Sequence, residues 1–133
     1  MNDRHPRVIR FVNAELVKLS GDRSTALVEL ERRTGDSYRA TAEGAGTDAG
    51  GLRCVAQAAA EALRRAVRAS QPLSVDDVEM LQPFGRPSVV VAISVQCQDY
   101  SGSLVGISQA DHDPVKATVR AVLNATNRVL GVG

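Results

Sequence analysis

The residues best suited to chemistry are three consecutive ones, Asp111, His112 and Asp113. A histidine flanked by carboxylates can act as a general base or bind a metal ion. A metal ion would need further ligands, and no zinc-type ligand spacing occurs in the sequence. Asp113 also directly precedes Pro114, and this pair is typical of a helix cap followed by the first helical residue. We therefore expect a surface turn with no catalytic residue and no metal site, and a small enzyme using His112 is the alternative.

Two polar, glycine-containing segments that precede the predicted helices form the second candidate site. Helix N-termini expose free N–H groups and carry partial positive charge, so they favour carboxylates and phosphates. The two segments supply eight candidate ligand-binding residues: Gly44, Gly46, Thr47, Asp48, Gly106, Ser108, Gln109 and Asp111. The alternative is that these residues only connect strands to helices. A dinucleotide-binding site would need a third glycine and a βαβ context, so no cofactor is expected.

The chain repeats itself, and this repeat predicts the architecture. A shift of 62 positions (38 to 100, 44 to 106) places Tyr38 on Tyr100 and Gly44 on Gly106. The predicted helix 52–67 then lies over a second helix that starts at Pro114. Each copy reads as three strands followed by one helix, because apolar residues alternate in the strands and recur every three or four positions in the helices.

The predicted elements follow from these patterns and from the turn residues between them. In the first copy we predict strands at 7–19, 24–32 and 37–43, a glycine-rich loop at 44–51, and the helix 52–67. In the second copy we predict strands at 73–81, 88–96 and 104–107, a turn at 99–102, and the helix 114–130. The strand 88–96 is apolar on both faces, which predicts that both faces are covered, one of them by a partner chain.

The predicted fold is therefore α+β, with duplicated β-β-β-α units related by a pseudo-twofold axis. Two antiparallel sheets carry two helices packed on them. Residues 1–6 are expected to be a flexible tail, and residues 7–133 a single domain made of the repeats 7–69 and 70–131. A chain of 133 residues is long enough for one such domain with its own core.

Composition limits the classes of function. The net charge of +1 gives no basic surface of the kind that nucleic acid requires, so no nucleic-acid partner is expected. The sequence has neither a signal-peptide pattern nor an apolar run long enough to cross a membrane, which predicts a cytoplasmic protein without a membrane partner. Cys54 and Cys97 are expected to be packed thiols, and a disulfide between them is the alternative.

At the two glycine segments the chain resembles the C-terminal regulatory domain of 2-isopropylmalate synthase. The resemblance rests on Gly44-Ala-Gly46 before the first helix, and on Gly106-Ile-Ser108 with Leu123-Asn124 in the second copy. Ser108 stands where the family has a second glycine. The resemblance spans roughly residues 12–130.

This resemblance implies a dimer of duplicated β-β-β-α units that binds leucine, or isoleucine, near the glycine turns. It also implies a non-catalytic domain, because the family's catalytic barrel has no counterpart in this sequence. We therefore expect a homodimeric regulatory or small-molecule-binding domain whose ligand is an amino acid or another small carboxylate. A scaffold protein that binds another protein and no metabolite is the main alternative.

Overall fold

The computed structural model describes residues 9–67, 73–97 and 100–130. These residues form six strands, two α-helices and one 3₁₀ turn. The first repeat contains β1 (Ile9–Leu19), β2 (Arg23–Arg32), β3 (Ser37–Ala45) and α1 (Asp48–Val67). The second repeat contains β4 (Ser74–Leu81), the 3₁₀ turn Pro83–Gly85, β5 (Ser88–Cys97), β6 (Tyr100–Gln109) and α2 (Pro114–Leu130).

Each repeat builds its own antiparallel sheet, in the order β1-β2-β3 and β4-β5-β6. Consecutive strands are neighbours, and only a few residues separate them in the sequence. In the first sheet, Gly21 and Gly35 adopt positive φ angles in the two turns. The predicted α+β fold of duplicated β-β-β-α units is confirmed.

Both helices begin at a side-chain cap. The Thr47 hydroxyl accepts the N–H of Gly50 at 2.9 Å, and the Asp113 carboxylate accepts the N–H of Lys116 at 3.0 Å. The prediction that Asp113 caps the second helix before Pro114 is confirmed, and Thr47 is the corresponding cap of the first helix. The capping residues Thr47 and Asp113 are not related by the shift of 62 positions. The reason is that the turn between β6 and α2 is longer than the two-residue connection between β3 and α1.

Each helix packs on the sheet of its own repeat and on the first strand of the other repeat. Thus α1 covers β2 and β3 and reaches β4, while α2 covers β5 and β6 and reaches β1. The helices also contact each other. This reciprocal arrangement buries α1 on most of its circumference, and its buried residues include seven small ones: Gly51, Ala56, Ala58, Ala59, Ala60, Ala62 and Ala66. The small side chains permit a close approach between α1 and the elements around it.

The prediction of a glycine-rich loop at 44–51 is wrong. Gly44 and Ala45 complete β3, residues 48–51 are the first turn of α1, and only Gly46 and Thr47 lie between them. The glycines serve close packing within regular elements, because a Cβ on Gly51 would lie 2.8 Å from the Leu16 side chain.

The prediction that β6 is a short strand, 104–107, is also wrong. The ladder with β5 begins at the Cys97–Tyr100 pair and continues to Ser88–Gln109. Residues 100–102, predicted as part of a turn, are therefore in the strand, and Gly106 lies inside β6 instead of at its end.

Strand β5 is covered on one face only. Val89, Val91 and Ile93 are fully buried beneath α2, whereas Val90 and Ala92 on the opposite face are half-buried. The predicted cover on both faces is therefore not present within a single chain.

Several predictions concern residues outside the described ranges. These are the tail 1–6 and Asp99, the first residue of the predicted turn 99–102.

Candidate functional site

The strongest candidate site is a cleft where the two helix starts meet the edge strands of both sheets. We call it the helix-start cleft, and its volume is about 370 Å³. Eight residues line it: Leu16, Lys18, Thr47, Asp48, Leu52, Met80, Pro114 and Val115. Each repeat contributes one strand and one helix start, so the cleft exists only in the assembled domain.

The floor of the cleft is apolar. It is formed by Leu16 of β1, Leu52 of α1, Met80 of β4 and Val115 of α2. A neighbouring depression shares Asp48, Leu52 and Met80 with the cleft and extends the apolar surface to Val78. Sites that bind small molecules combine such apolar surface with a few placed polar groups.

The polar groups of the cleft lie at its rim. The Lys18 ammonium is 3.5 Å from a carboxylate oxygen of Asp48, and both side chains are largely exposed. Thr47 satisfies the third and fourth N–H groups of α1, with its hydroxyl on Gly50 and its carbonyl on Gly51. The first two N–H groups of α1, on Asp48 and Ala49, precede these and are available to solvent or a ligand.

The structure does not bring the eight predicted residues together in one site. Thr47 and Asp48 line the helix-start cleft. Ser108 and Gln109 do not, and they lie instead beside a depression at the end of the second sheet. Ser108 also borders a basic depression with Arg10 and Arg120. Asp111 is exposed in the turn before α2, with a φ of 48°.

The glycines among the predicted residues are explained by packing. A Cβ on Gly44 would lie 2.7 Å from the Cys54 sulfur, and one on Gly46 would lie 2.8 Å from the Asp22 backbone. A Cβ on Gly106 would collide with the backbone of α2 at Ala121 and Ala125. The internal repeat of Gly44 and Gly106 therefore marks two places where a strand residue with a Cβ would come too close to an atom of the helix packed on it.

His112 is exposed in the turn between β6 and α2, and Asp113 beside it is engaged as the helix cap. No group of three or more potential metal ligands occurs within residues 9–67, 73–97 and 100–130.

Sequence reasoning missed six of the eight cleft residues, namely Leu16, Lys18, Leu52, Met80, Pro114 and Val115. The periodicity of apolar residues assigned several of them to the apolar face of a helix or strand. It could not show which of these faces remains uncovered at the end of its element. The one available indication was the internal repeat, because a shift of 62 positions places Lys18 on Met80 and so relates two of the cleft residues.

Cys54 belongs to α1, where its side chain packs against Gly44 of β3, and it is a free, buried thiol. Burial raises its pKa, which opposes formation of the reactive thiolate. The predicted packed thiol is therefore confirmed for Cys54, whereas the side chain of Cys97 lies outside the described part of the chain.

No protein-family model matches the sequence, and no curated protein is significantly similar to it. In the part of the chain that the structure describes, the helices are too short or too polar to cross a membrane.

Proposed function

We propose that this protein is a non-catalytic, small-molecule-binding regulatory domain and that its ligand is an amino acid with an aliphatic side chain. One observation carries the proposal: the Lys18–Asp48 ion pair lies at the rim of the helix-start cleft, above an apolar floor. A free amino acid presents the matching features, a carboxylate and an ammonium group on one carbon with an apolar side chain.

Each part of such a ligand has a counterpart in the cleft. The carboxylate would bind the Lys18 ammonium and the free N–H groups of Asp48 and Ala49, where the helix dipole also favours an anion. The ammonium would bind the Asp48 carboxylate. The aliphatic side chain would contact Leu52 and Met80, and burying it would supply most of the binding free energy.

The resemblance to the regulatory domain of 2-isopropylmalate synthase supports the same proposal, since that family binds leucine near the corresponding helix starts. The protein is further proposed to be cytoplasmic and to form a homodimer.

A thermal-shift screen of the purified protein tests the ligand. It covers the twenty amino acids and the 2-oxo acids that correspond to the aliphatic ones. We expect a selective increase in Tm with leucine, isoleucine or valine, because a ligand at 100 times its Kd stabilises the folded state by about 2.7 kcal/mol. A well-folded protein that responds to none of these compounds contradicts the proposal.

Two variants then locate the site. Lys18→Gln should raise the Kd about tenfold, because it removes the cation that pairs with the carboxylate. Asp48→Asn should reduce the preference for the amino acid over its 2-oxo acid. Lys116→Gln is the matched control, since Lys116 is also an exposed lysine near a helix start but does not line the cleft.

A scaffold that binds another protein is the second candidate function. The observation in its favour is the exposed apolar surface of the second sheet, where Phe84, Val105 and Ile107 face solvent. A flat ligand screen combined with retention of a specific protein partner in pull-down would support it.

A further inference from the structure

The basic depression beside Ser108 is formed where α2 packs against the first strand of the other repeat. Its volume is about 380 Å³, within the range of roughly 300–1,000 Å³ that is typical of small-molecule sites. Six residues line it: Arg10 and Phe11 of β1, Ser108 of β6, and Arg120, Leu123 and Asn124 of α2. Both repeats therefore contribute to this depression, as they do to the helix-start cleft.

The lining residues divide into an apolar floor and a polar rim. Leu123 is buried in the core, and Phe11 is half-buried and packs against that core. Ser108 is half-buried, whereas the two arginines and Asn124 are exposed. Among the residues that the structure describes, no aspartate or glutamate lines the basic depression. The rim therefore carries positive charge above an apolar floor.

The two arginines retain most of their hydrogen-bonding capacity. Arg10 pairs with Glu31 through one contact, from its Nη2 to a carboxylate oxygen at 2.6 Å. A guanidinium group has five N–H donors, so the others remain available to a ligand. Within residues 9–67, 73–97 and 100–130, Arg120 forms no ion pair. Both cations can therefore bind an anion that enters the depression.

Two neutral side chains add further donors to the rim. The Asn124 amide donates to the Ile107 carbonyl at 3.0 Å, which fixes the side chain between α2 and β6 and leaves its second N–H for a ligand. The Ser108 hydroxyl lies 3.5 Å from the Gln109 carbonyl, beyond the usual length of such a bond, so it is available to donate to a ligand. A matching ligand must therefore supply acceptor atoms and negative charge.

We propose that the basic depression binds a small organic phosphate monoester. The phosphate group lies between Arg10 and Arg120, and the organic part contacts Phe11 and Leu123. Two guanidinium groups match the two charges of a phosphate dianion, and the planar fork of each can donate two parallel N–H bonds to phosphate oxygens. A carboxylate carries a single charge and would satisfy only one of the arginines. The proposal is independent of the ligand in the helix-start cleft, because the two sites share no residue.

The surrounding charges favour a single phosphate group over a nucleic acid. A nucleic acid requires a basic surface that extends along several phosphates. Two other arginines of the first sheet, Arg23 and Arg39, are instead paired with Glu43 and Glu29. The positive charge available to a ligand is therefore confined to the depression.

Isothermal titration calorimetry of the full chain tests the proposal, with phenyl phosphate, inorganic phosphate and phenol as the probes. Phenyl phosphate is mostly a dianion at about pH 7.5, because the second pKa of a phosphate ester is about 6. It should bind more tightly than inorganic phosphate, because its ring is buried against Phe11 and Leu123. Phenol should not bind. Absence of phenyl phosphate binding at millimolar concentration overturns the proposal, and so does equal binding of phenol.

Four variants locate the site. Arg120→Gln and Arg10→Gln should each raise the Kd of phenyl phosphate about tenfold, because each removes charge-assisted hydrogen bonds. Arg23→Gln is the matched control for Arg10→Gln, since it breaks a cross-strand ion pair of the same sheet outside the depression. Lys18→Gln removes a positive charge from the helix-start cleft. Both controls should leave the Kd unchanged. Equal losses in all four variants, or no loss in the first two, contradict the proposal.

A single-stranded oligonucleotide distinguishes the two sources of a phosphate group. It should bind more weakly than phenyl phosphate, because the depression holds one phosphate group and one apolar part. An oligonucleotide that binds more tightly, and whose affinity falls in Arg120→Gln, would assign the depression to nucleic acid and overturn the proposal.

Discussion

At Gly106, strand β6 runs directly beneath the backbone of α2. A Cβ at this position would collide with the Ala121 carbonyl and would lie 2.6 Å from the Ala125 nitrogen. Backbone atoms in the middle of a packed helix cannot yield as the end of a side chain can. The close approach therefore requires glycine for packing, whether or not a ligand binds nearby.

Gly106→Ala should consequently lower the free energy of unfolding by about 3 kcal/mol, at the upper end of the range for overpacked cores. Urea denaturation measures this loss. Gly44→Ala is the matched variant at the corresponding position of the first repeat, where the new methyl group meets only the Cys54 sulfur. Its loss should be smaller, and a second change, Cys54→Ala, should recover part of it. Equal losses at the two glycines would contradict this account.

At the scale of elements, the exposed side of α1 is held by a small ion-pair cluster. The Glu61 carboxylate accepts hydrogen bonds from Arg64 at 2.9 and 2.6 Å and from Arg65 at 3.0 Å. The hydrogen bond from Arg64, more than any other contact, lowers the pKa of Glu61 below its ordinary value of 4.5. A carboxyl group whose pKa is lower in the folded state stabilises the fold when it is ionised.

This stabilisation is present above the pKa of the unfolded state, and it is lost as the pH falls through the lower pKa of the folded state. Glu61→Gln should therefore reduce the free energy of unfolding at pH 7 by roughly 0.5 kcal/mol, a typical value for helix-surface pairs. The difference from wild type should disappear as the pH falls through the lowered pKa of Glu61. Glu79→Gln, on the exposed side of β4, controls for loss of one negative charge. A difference that persists unchanged at low pH would exclude the ion pairs as its cause.

At the scale of the whole molecule, each repeat depends on the other for part of its cover. Helix α1 reaches β4, where the Arg53 guanidinium donates to the Val75 carbonyl at 3.1 Å. Helix α2 reaches β1 in the same way. Neither helix would be fully covered in an isolated repeat.

We therefore expect the two repeats to unfold together as one cooperative unit. The chain has two tyrosines and no tryptophan, so the variants Tyr100→Phe and Tyr38→Phe each leave one fluorescent probe, in β3 or in β6. The two urea transitions should have the same midpoint after correction for the stability of each variant. Separate midpoints would show that the repeats are independent units.

Much of the fold could be predicted from the sequence because the relevant interactions are local. Asp113 and Pro114 define a helix start through contacts within four residues, and the alternation at Ala26, Val28 and Leu30 assigns one face of β2 to the core. The repeat of Gly44 and Gly106 also identified the duplication. These features depend on backbone geometry and on periodicity, which are visible in a single sequence.

The candidate site was decided only by tertiary structure. The sequence predicted one helix after the glycine segment and another from Pro114, but not that the two helix starts converge with Lys18 and Met80 in one cleft. Those residues are far apart in the chain, and their proximity results from the way each helix packs across to the other repeat. The sequence likewise shows that residues 44 and 106 are glycines, but only the packed structure shows the reason. Gly44 leaves room for the Cys54 sulfur, and Gly106 leaves room for the backbone of α2. The periodicity of apolar residues in a sequence shows which face of a helix or strand is apolar. The relative placement of the two repeats decides where part of that face remains uncovered and forms a cleft.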